Sequence, residues 1–373
     1  MKILWANHRD IQHPRAGGAE RTIFEISRRL SLKGHLVHLA SSAWCGARST
    51  EVISGVKIAR FPSYLGPHLT LPILAAKRPR PDVIIDDLAH VLPWASERLT
   101  TVPGVAFFRH LHARTLPGQV APVLSKILGR VEASYPLFYP TWPFVTETKF
   151  SVEDLASLGI ARSRCHIIPP GVDAQLFQPG HRYPSPTLIY FGGLRAYKRP
   201  RDILVAFRIV LKVRPDVTLR IVGTGPELPA LRSLASALDI DRSTFFLGRI
   251  SDSALSKELG AASINIHTSI AEGWGYAVLE ASAAGVPTVA YAAQGLVDAN
   301  SANKGIAFVR SANPVDLATE ILRALGEAET RGEMSRTWAQ RFDWETATKA
   351  WETYLENIAR GRVNSGALGP EAR

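Results

Sequence analysis

The sequence predicts an α/β protein of two doubly wound lobes, each a mainly parallel sheet with helices on both faces. Its 373 residues exceed what one hydrophobic core usually organises, about 250–300 residues. Along the chain, short β-rich runs alternate with segments of helical period, the pattern of parallel strands joined by crossover helices. That alternation stops where Pro179, Gly180, Pro184 and Pro186 crowd together, and then starts afresh. The expected organisation is a first lobe over residues 1–180, a second over residues 181–343, a terminal helix over residues 344–360 packing back toward the first lobe, and a disordered tail over residues 361–373.

In the first lobe a strand over residues 2–6 runs through a polar loop to Gly17-Gly18, then into a helix over residues 19–33 that Gly34 ends, and a second strand over residues 36–41. This is a βαβ unit. Further strands are expected at residues 56–61, 83–86, 105–110, 144–146 and 166–168, while the aromatic and proline-rich residues 135–144 read as a packed connection. In the second lobe, strands at residues 187–191, 217–222, 244–247, 264–267, 288–291 and 306–309 are interleaved with helices at residues 200–213, 228–238, 252–259, 276–284 and 314–328. The terminal helix carries Trp351, Tyr354, Leu355 and Ile358 on one face, and such a face must pack on something.

Composition narrows the class. Hydrophobic residues make up 46% of the chain and charged residues 21%, the balance of an ordinary globular protein. No apolar run approaches the ~20 residues of a membrane span, and Met1-Lys2-Ile3-Leu4-Trp5 reads as a strand instead of a signal segment, so a cytoplasmic protein is expected. Cys45 and Cys165 have no metal or disulfide spacing and read as small hydrophobes. The net charge of +11 sits mainly in the first half: residues 1–185 hold 22 Lys/Arg against 13 Asp/Glu, and the remainder 22 against 20. Lys77, Arg78 and Arg80 follow an apolar stretch over residues 69–76, which suits peripheral contact with an anionic membrane surface on the inner face; no zinc-finger or RNA-binding signature points to nucleic acid.

The residues that carry chemistry lie in the second lobe. In Glu272-Gly273-Trp274-Gly275-Tyr276-Ala277-Val278-Leu279-Glu280, the glycines allow a close turn just before a helix. Amides at Gly275, Tyr276 and Ala277 then form an anion site suited to a diphosphate. Glu280, about one turn inside the helix, offers oxygens to a ribose diol, and Glu272 reaches the other end of such a ligand. This stretch resembles the acidic signature of two glutamates separated by seven residues in retaining glycosyltransferases of family 4, group 1, with the GT-B fold. Gly17-Gly18-Ala19-Glu20-Arg21, Ile168-Pro169-Pro170-Gly171-Val172-Asp173 and Gly223-Thr224-Gly225-Pro226-Glu227 resemble further motifs of that family in the same order, so the likeness covers most of the chain.

The resemblance implies two Rossmann-like lobes facing a central cleft, an acceptor-binding first lobe, and a second lobe that binds a nucleotide diphosphate sugar. It implies a retaining glycosyltransferase with no metal and no cofactor, with Glu280 at the donor ribose and Glu272 at the sugar ring. In Phe191-Gly192-Gly193-Leu194-Arg195-Ala196-Tyr197-Lys198-Arg199, Lys198 is placed to neutralise the departing diphosphate. Family members carry an arginine where this chain has Gly193, so Arg195 or Arg199 must supply any second cation. In Phe107-Phe108-Arg109-His110-Leu111-His112, His112 fits the histidine that meets the transferred sugar slightly better than His110. Gly18 would let the first loop approach the donor phosphates or the acceptor, Gly225 would let backbone approach the donor, and backbone around Arg249-Ile250 would read the base. Asp86-Asp87 is an adjacent pair whose side chains strand alternation turns apart, which argues against a metal site. The acceptor expected from the basic first lobe is a lipid-linked or cell-envelope glycan. A nucleotide-sugar epimerase, a phosphorylase or a non-catalytic nucleotide-sugar-binding subunit would use the same architecture.

Overall fold

The computed structural model describes residues 1–117 and 119–362. The chain forms two compact units: Met1–Gly171 together with the segment from Trp344 onward, and Val172–Asp343.

The first unit is built on an eight-stranded sheet of β1 (Lys2–Ala6), β2 (Leu36–Ser42), β3 (Thr50–Ile53), β4 (Val56–Phe61), β5 (Val83–Asp87), β6 (Gly104–Phe107), β7 (Phe144–Thr146) and β8 (Cys165–Ile167), in the order β3-β4-β2-β1-β5-β6-β7-β8. Every neighbouring pair is parallel except β3 with β4, a hairpin whose turn residues Ser54 and Gly55 both have positive φ. Alternation along the strands feeds two cores. Ile3 and Trp5 face one, shared with the helix Gly18–Leu32, and Leu4 and Ala6 face the other. The helix Trp344–Ala359 completes the first core: Trp351 lies with its ring 5.4 Å from that of Trp5 and 4.9 Å from that of Phe107.

The second unit holds a six-stranded parallel sheet of β9 (Thr187–Phe191), β10 (Thr218–Val222), β11 (Thr244–Gly248), β12 (Ile264–His267), β13 (Thr288–Ala290) and β14 (Ala307–Phe308), ordered β11-β10-β9-β12-β13-β14. This is the doubly wound 3-2-1-4-5-6 order, and its switch point lies between β9 and β12, where open α/β sheets bind ligands beyond the strand ends. Leu188 and Tyr190 pack under the helices Pro200–Val213 and Pro314–Leu325 on one face; Ile189 and Phe191 pack on the other with the helix Tyr276–Ala283.

Three expectations need correction. The division falls at Gly171/Val172 instead of residue 180, because Val172 pairs with Asp343 and Phe177 is buried in a core of the second unit, while Gly180 lies against Gly260. The terminal helix is no separate part; it belongs to the first unit. The helix expected over residues 314–328 is two, Pro314–Leu325 and Ala328–Ala339, parted at Gly326-Glu327. The tail expected over residues 361–373 lies outside the described residues from 363 onward. Among the described residues, no helix is long and apolar enough to cross a membrane.

Candidate active site

In the second unit, the segments that follow β9 and β10 are stitched together by backbone contacts that only glycine permits. Gly192 and Gly223 have φ of 142° and 131°, and a Cβ on Gly223 would stand 1.9 Å from the Gly192 carbonyl oxygen. One on Gly225 would stand 2.2 Å from the Leu194 carbonyl oxygen. The Gly192 amide donates to the Val222 carbonyl at 3.0 Å and the Leu194 amide to the Thr224 carbonyl at 2.9 Å, so the two loops run as one layer. On the other side, the Thr268 hydroxyl donates to the Lys198 carbonyl at 2.7 Å and the Ile270 amide to the Tyr197 carbonyl at 3.1 Å.

These contacts set Lys198, on a short 3-10 turn after β9, against Glu272, on the loop after β12. The Lys198 ammonium pairs with Glu272 Oε1, and Nε2 of His267, the last residue of β12, stands 3.2 Å from the same oxygen. Burial alone would raise the Glu272 pKa, but the Lys198 charge and the His267 hydrogen bond override it and hold the carboxyl well below its ordinary value. Burial would likewise pull Lys198 down, and the Glu272 carboxylate reverses that, holding the ammonium above its ordinary value. The pair therefore stays ionised at least from 4.5 to 10.5, the unshifted values of the two groups.

Gly275 caps the helix Tyr276–Ala283 with φ 92°, and a Cβ there would stand 2.2 Å from Leu296 Cδ1. Its carbonyl takes the Val278 amide at 2.8 Å and the Leu279 amide at 3.2 Å, which leaves the positive end of the helix at Gly275, Tyr276 and Ala277. Gly273 is buried in the preceding loop, and its carbonyl and that of Glu272 lie where a Cβ on Gly295 would fall, at 2.7 and 2.1 Å. Glu280 is half-buried within the helix. Ile250, after β11, packs partly buried against the same core as Tyr276 and Ala277.

The two arginines near Lys198 separate clearly. Arg199 pairs with Asp202 at 2.6 Å and lies over the Tyr291 ring. Arg195 runs beside Gly193, where a Cβ would be 3.7 Å from its Nε.

In the first unit Gly17 caps the helix Gly18–Leu32, and its amide donates to Glu20 Oε2 at 2.7 Å, which puts Gly18 at the helix start. His112 is not at a strand end: β6 stops at Phe107, and His112 opens a 3-10 turn, His112–Arg114, held by Glu132. Glu132 Oε1 accepts from the His112 amide at 2.7 Å and lies 3.2 Å from its Nδ1. Asp86 and Asp87 turn apart. Asp86 accepts from the Ser96 amide and hydroxyl and the Tyr139 hydroxyl; Asp87 pairs with Arg109 at 3.0 Å. His267, which the sequence presents only as the end of a strand, is the residue sequence reasoning missed; its place ahead of Glu272 at a predicted strand end was the available signal.

Two family models match: Glycosyltransferase Family 4 over residues 16–176 and Glycosyl transferases group 1 over residues 172–341. The D-inositol 3-phosphate glycosyltransferase of Kribbella flavida is 26% identical over 402 residues, 92% of this chain and 92% of that protein. Other proteins of that name match at 29–30% identity across 45–57% of their length. Among solved structures, sucrose-phosphate synthase from Thermosynechococcus elongatus superposes with a TM-score of 0.80 at 18% identity, covering 96% of this chain and 99% of that one. Anabaena HepE in complex with UDP-glucose superposes with a TM-score of 0.76 at 18% identity, over 96% and 100% of the two chains. The two matched segments together run from residue 16 to residue 341, and with two Rossmann-like units of GT-B type the chain belongs to the family 4, group 1 glycosyltransferases.

Proposed function

We propose that this enzyme transfers a sugar, with retention at the anomeric carbon, from a nucleoside diphosphate donor held by the second unit to an acceptor bound through the first. The observation that carries the reading is the Lys198–Glu272–His267 cluster at the switch point between β9 and β12, with the helix end at Gly275 belonging to the same unit. HepE, whose structure holds UDP-glucose, and the glycosyltransferase names of the sequence relatives support a nucleotide sugar as donor.

In this reading the diphosphate lies against the positive end of the helix at Gly275, Tyr276 and Ala277, and Gly225 and Gly273 allow backbone close to it. Glu280 takes the ribose hydroxyls and the backbone at Ile250 the base. The leaving group gains negative charge as the glycosidic bond breaks, and the Lys198 ammonium is held ready to meet it, so no metal ion is required there. Arg195, whose side chain runs beside Gly193, supplies the second cation. Glu272, kept ionised, accepts hydrogen bonds from sugar hydroxyls and cannot serve as a proton donor at neutral pH. The departing phosphate oxygen takes the acceptor's proton on the face it leaves, and His112 and Gly18 serve the sugar and donor from the first unit.

The acceptor is a lipid-linked or cell-envelope glycan met at the cytoplasmic membrane face. The first unit supports this with exposed Leu65, Leu69 and Ile73 on and beside the helix Gly66–Ala76, followed by Lys77, Arg78 and Arg80.

A thermal-shift screen of nucleoside diphosphate sugars tests the donor assignment, because a ligand that binds only the folded state raises the unfolding temperature. One donor should stabilise the wild type, and Glu280→Ala should lose both that shift and at least about tenfold in transfer, roughly the loss of a hydrogen bond to a charged group. Full transfer by a folded Glu280→Ala protein would overturn the assignment. Product analysis without acceptor separates transfer from epimerisation.

A further inference from the structure

The first sheet has its own switch point, between β1 and β5, and three histidines meet there. His8 follows β1, His90 follows β5, and His68 comes from the helix Gly66–Ala76. A ligand nitrogen of each lies within 4.8 Å of those of the other two. Nε2 of His8 and Nε2 of His68 are 3.0 Å apart, near the ~3.3 Å that separates two imidazole nitrogens on one tetrahedral zinc ion. His8 and His90 are buried and His68 is half-buried. Neither ring nitrogen of His90 has a hydrogen-bond partner among the described residues, although both are shut off from solvent. A buried imidazole with both nitrogens unsatisfied calls for an explanation.

From this geometry we propose that His8, His68 and His90 bind one zinc ion, which ties the helix Gly66–Ala76 to the ends of β1 and β5. The surroundings are those of a built site. The His8 ring is stacked on Tyr64 at 3.8 Å and the His68 ring on Trp94 at 4.1 Å, so neither swings freely. His8 Nδ1 faces the Ser42 hydroxyl at 3.4 Å, the outer hydrogen bond that leaves Nε2 as the coordinating atom. Three imidazoles and no carboxylate select a borderline ion such as zinc over magnesium or calcium. Three protein ligands also leave a fourth position for water or an oxygen of a bound molecule. Arg9, the nearest cation in sequence, is turned toward Glu20 at 3.8 Å and the Arg15 carbonyl at 3.0 Å, which offsets its charge. The three histidines belong to the first unit, and Lys198 and Glu272 to the second.

The test is zinc binding by the full chain, stripped with a chelator and titrated with zinc chloride against a chromophoric competitor, with no activity readout. One equivalent should bind and raise the unfolding temperature. Cobalt in its place should give the visible bands of a four-coordinate site. His68→Gln, a half-buried position that should tolerate the change, is expected to weaken binding by at least about tenfold and to alter the cobalt spectrum. His35→Gln is the control, because His35, Glu352 and Glu356 form a second possible metal group in the same unit. Failure to bind a stoichiometric ion at micromolar zinc would overturn the proposal. So would binding that survives His68→Gln or is lost in His35→Gln.

Discussion

In each sheet the chain reverses around a first strand, β1 or β9, and a crevice opens between that strand and its neighbour, β5 or β12. The linings differ. Beyond β9 and β12, glycines at 192, 223 and 225 bring backbone close to backbone, and the buried ion pair of Lys198 with Glu272 supplies charge. Beyond β1 and β5 stand rings: His8, Tyr64, His68, His90 and Trp94 pack face to face and edge to face. Sheet order determines where a ligand can lie; the few residues past each strand end decide what kind of ligand it can be. A close-packed layer of backbone with a buried cation suits phosphate, whereas converging imidazoles suit a metal ion.

The contrast extends to how the sheets are covered, and the largest expected effect tests that. Trp351→Ala removes the ring that closes the first core against Trp5 and Phe107, and should cost about 3–5 kcal/mol in urea unfolding of the first unit. Hydrogen exchange should show β1 and β6 losing protection while β9 and β12 keep theirs; equal loss in both would mean that the units unfold as one body.

Next comes the charge at the second switch point. Lys198→Ala should lower the transfer rate by about 100- to 1,000-fold, the loss seen when one preorganised donor to a developing anion is removed. Arg199→Ala should cost little, since its guanidinium is committed to Asp202. Equal losses in steady-state transfer assays would erase the distinction drawn between these cations.

The smallest effect compares two acids, Glu272 on the loop after β12 and Asp86 near the end of β5. Glu272 has a cation beside it and is pushed down, whereas burial pushes Asp86 up to about 7, its hydrogen bonds from Ser96 and Tyr139 only partly opposing this. In the unfolded chain Asp86 returns to 3.8, so between 3.8 and about 7 the native state holds the extra proton. The stability from that proton is complete below pH 3.8, declines as pH rises, and is gone above about 7. From pH 5 to pH 7.5 the loss should be on the order of 2–3 kcal/mol. Thermal unfolding of Asp86→Asn should lack this slope; parallel pH profiles for variant and wild type would show that Asp86 does not titrate in this range.

Most of the second sheet was legible because its strands are buried on both faces and read as short apolar runs bounded by glycine and proline; β9 and β12 fall where the pattern puts them. β3 escaped notice because it is a four-residue edge strand, half exposed and antiparallel, with only Ser54-Gly55 to announce the hairpin. The break at Gly326-Glu327 was hidden by helix-favouring residues on both sides. Of the site, Glu272, Glu280 and Lys198 lie within recognisable local motifs. His267 and the three histidines of the first unit do not, since His8, His68 and His90 are brought together only by the sheet order.

The helix Trp344–Ala359 is synthesised after the whole of the second unit, yet it fills a core laid down by the first residues of the chain. On the ribosome, the surface around Trp5 and Phe107 must therefore wait uncovered until the whole of the second unit has been made. A product cut short at Asp343 would retain every strand of both sheets and still present a greasy patch to chaperones and proteases.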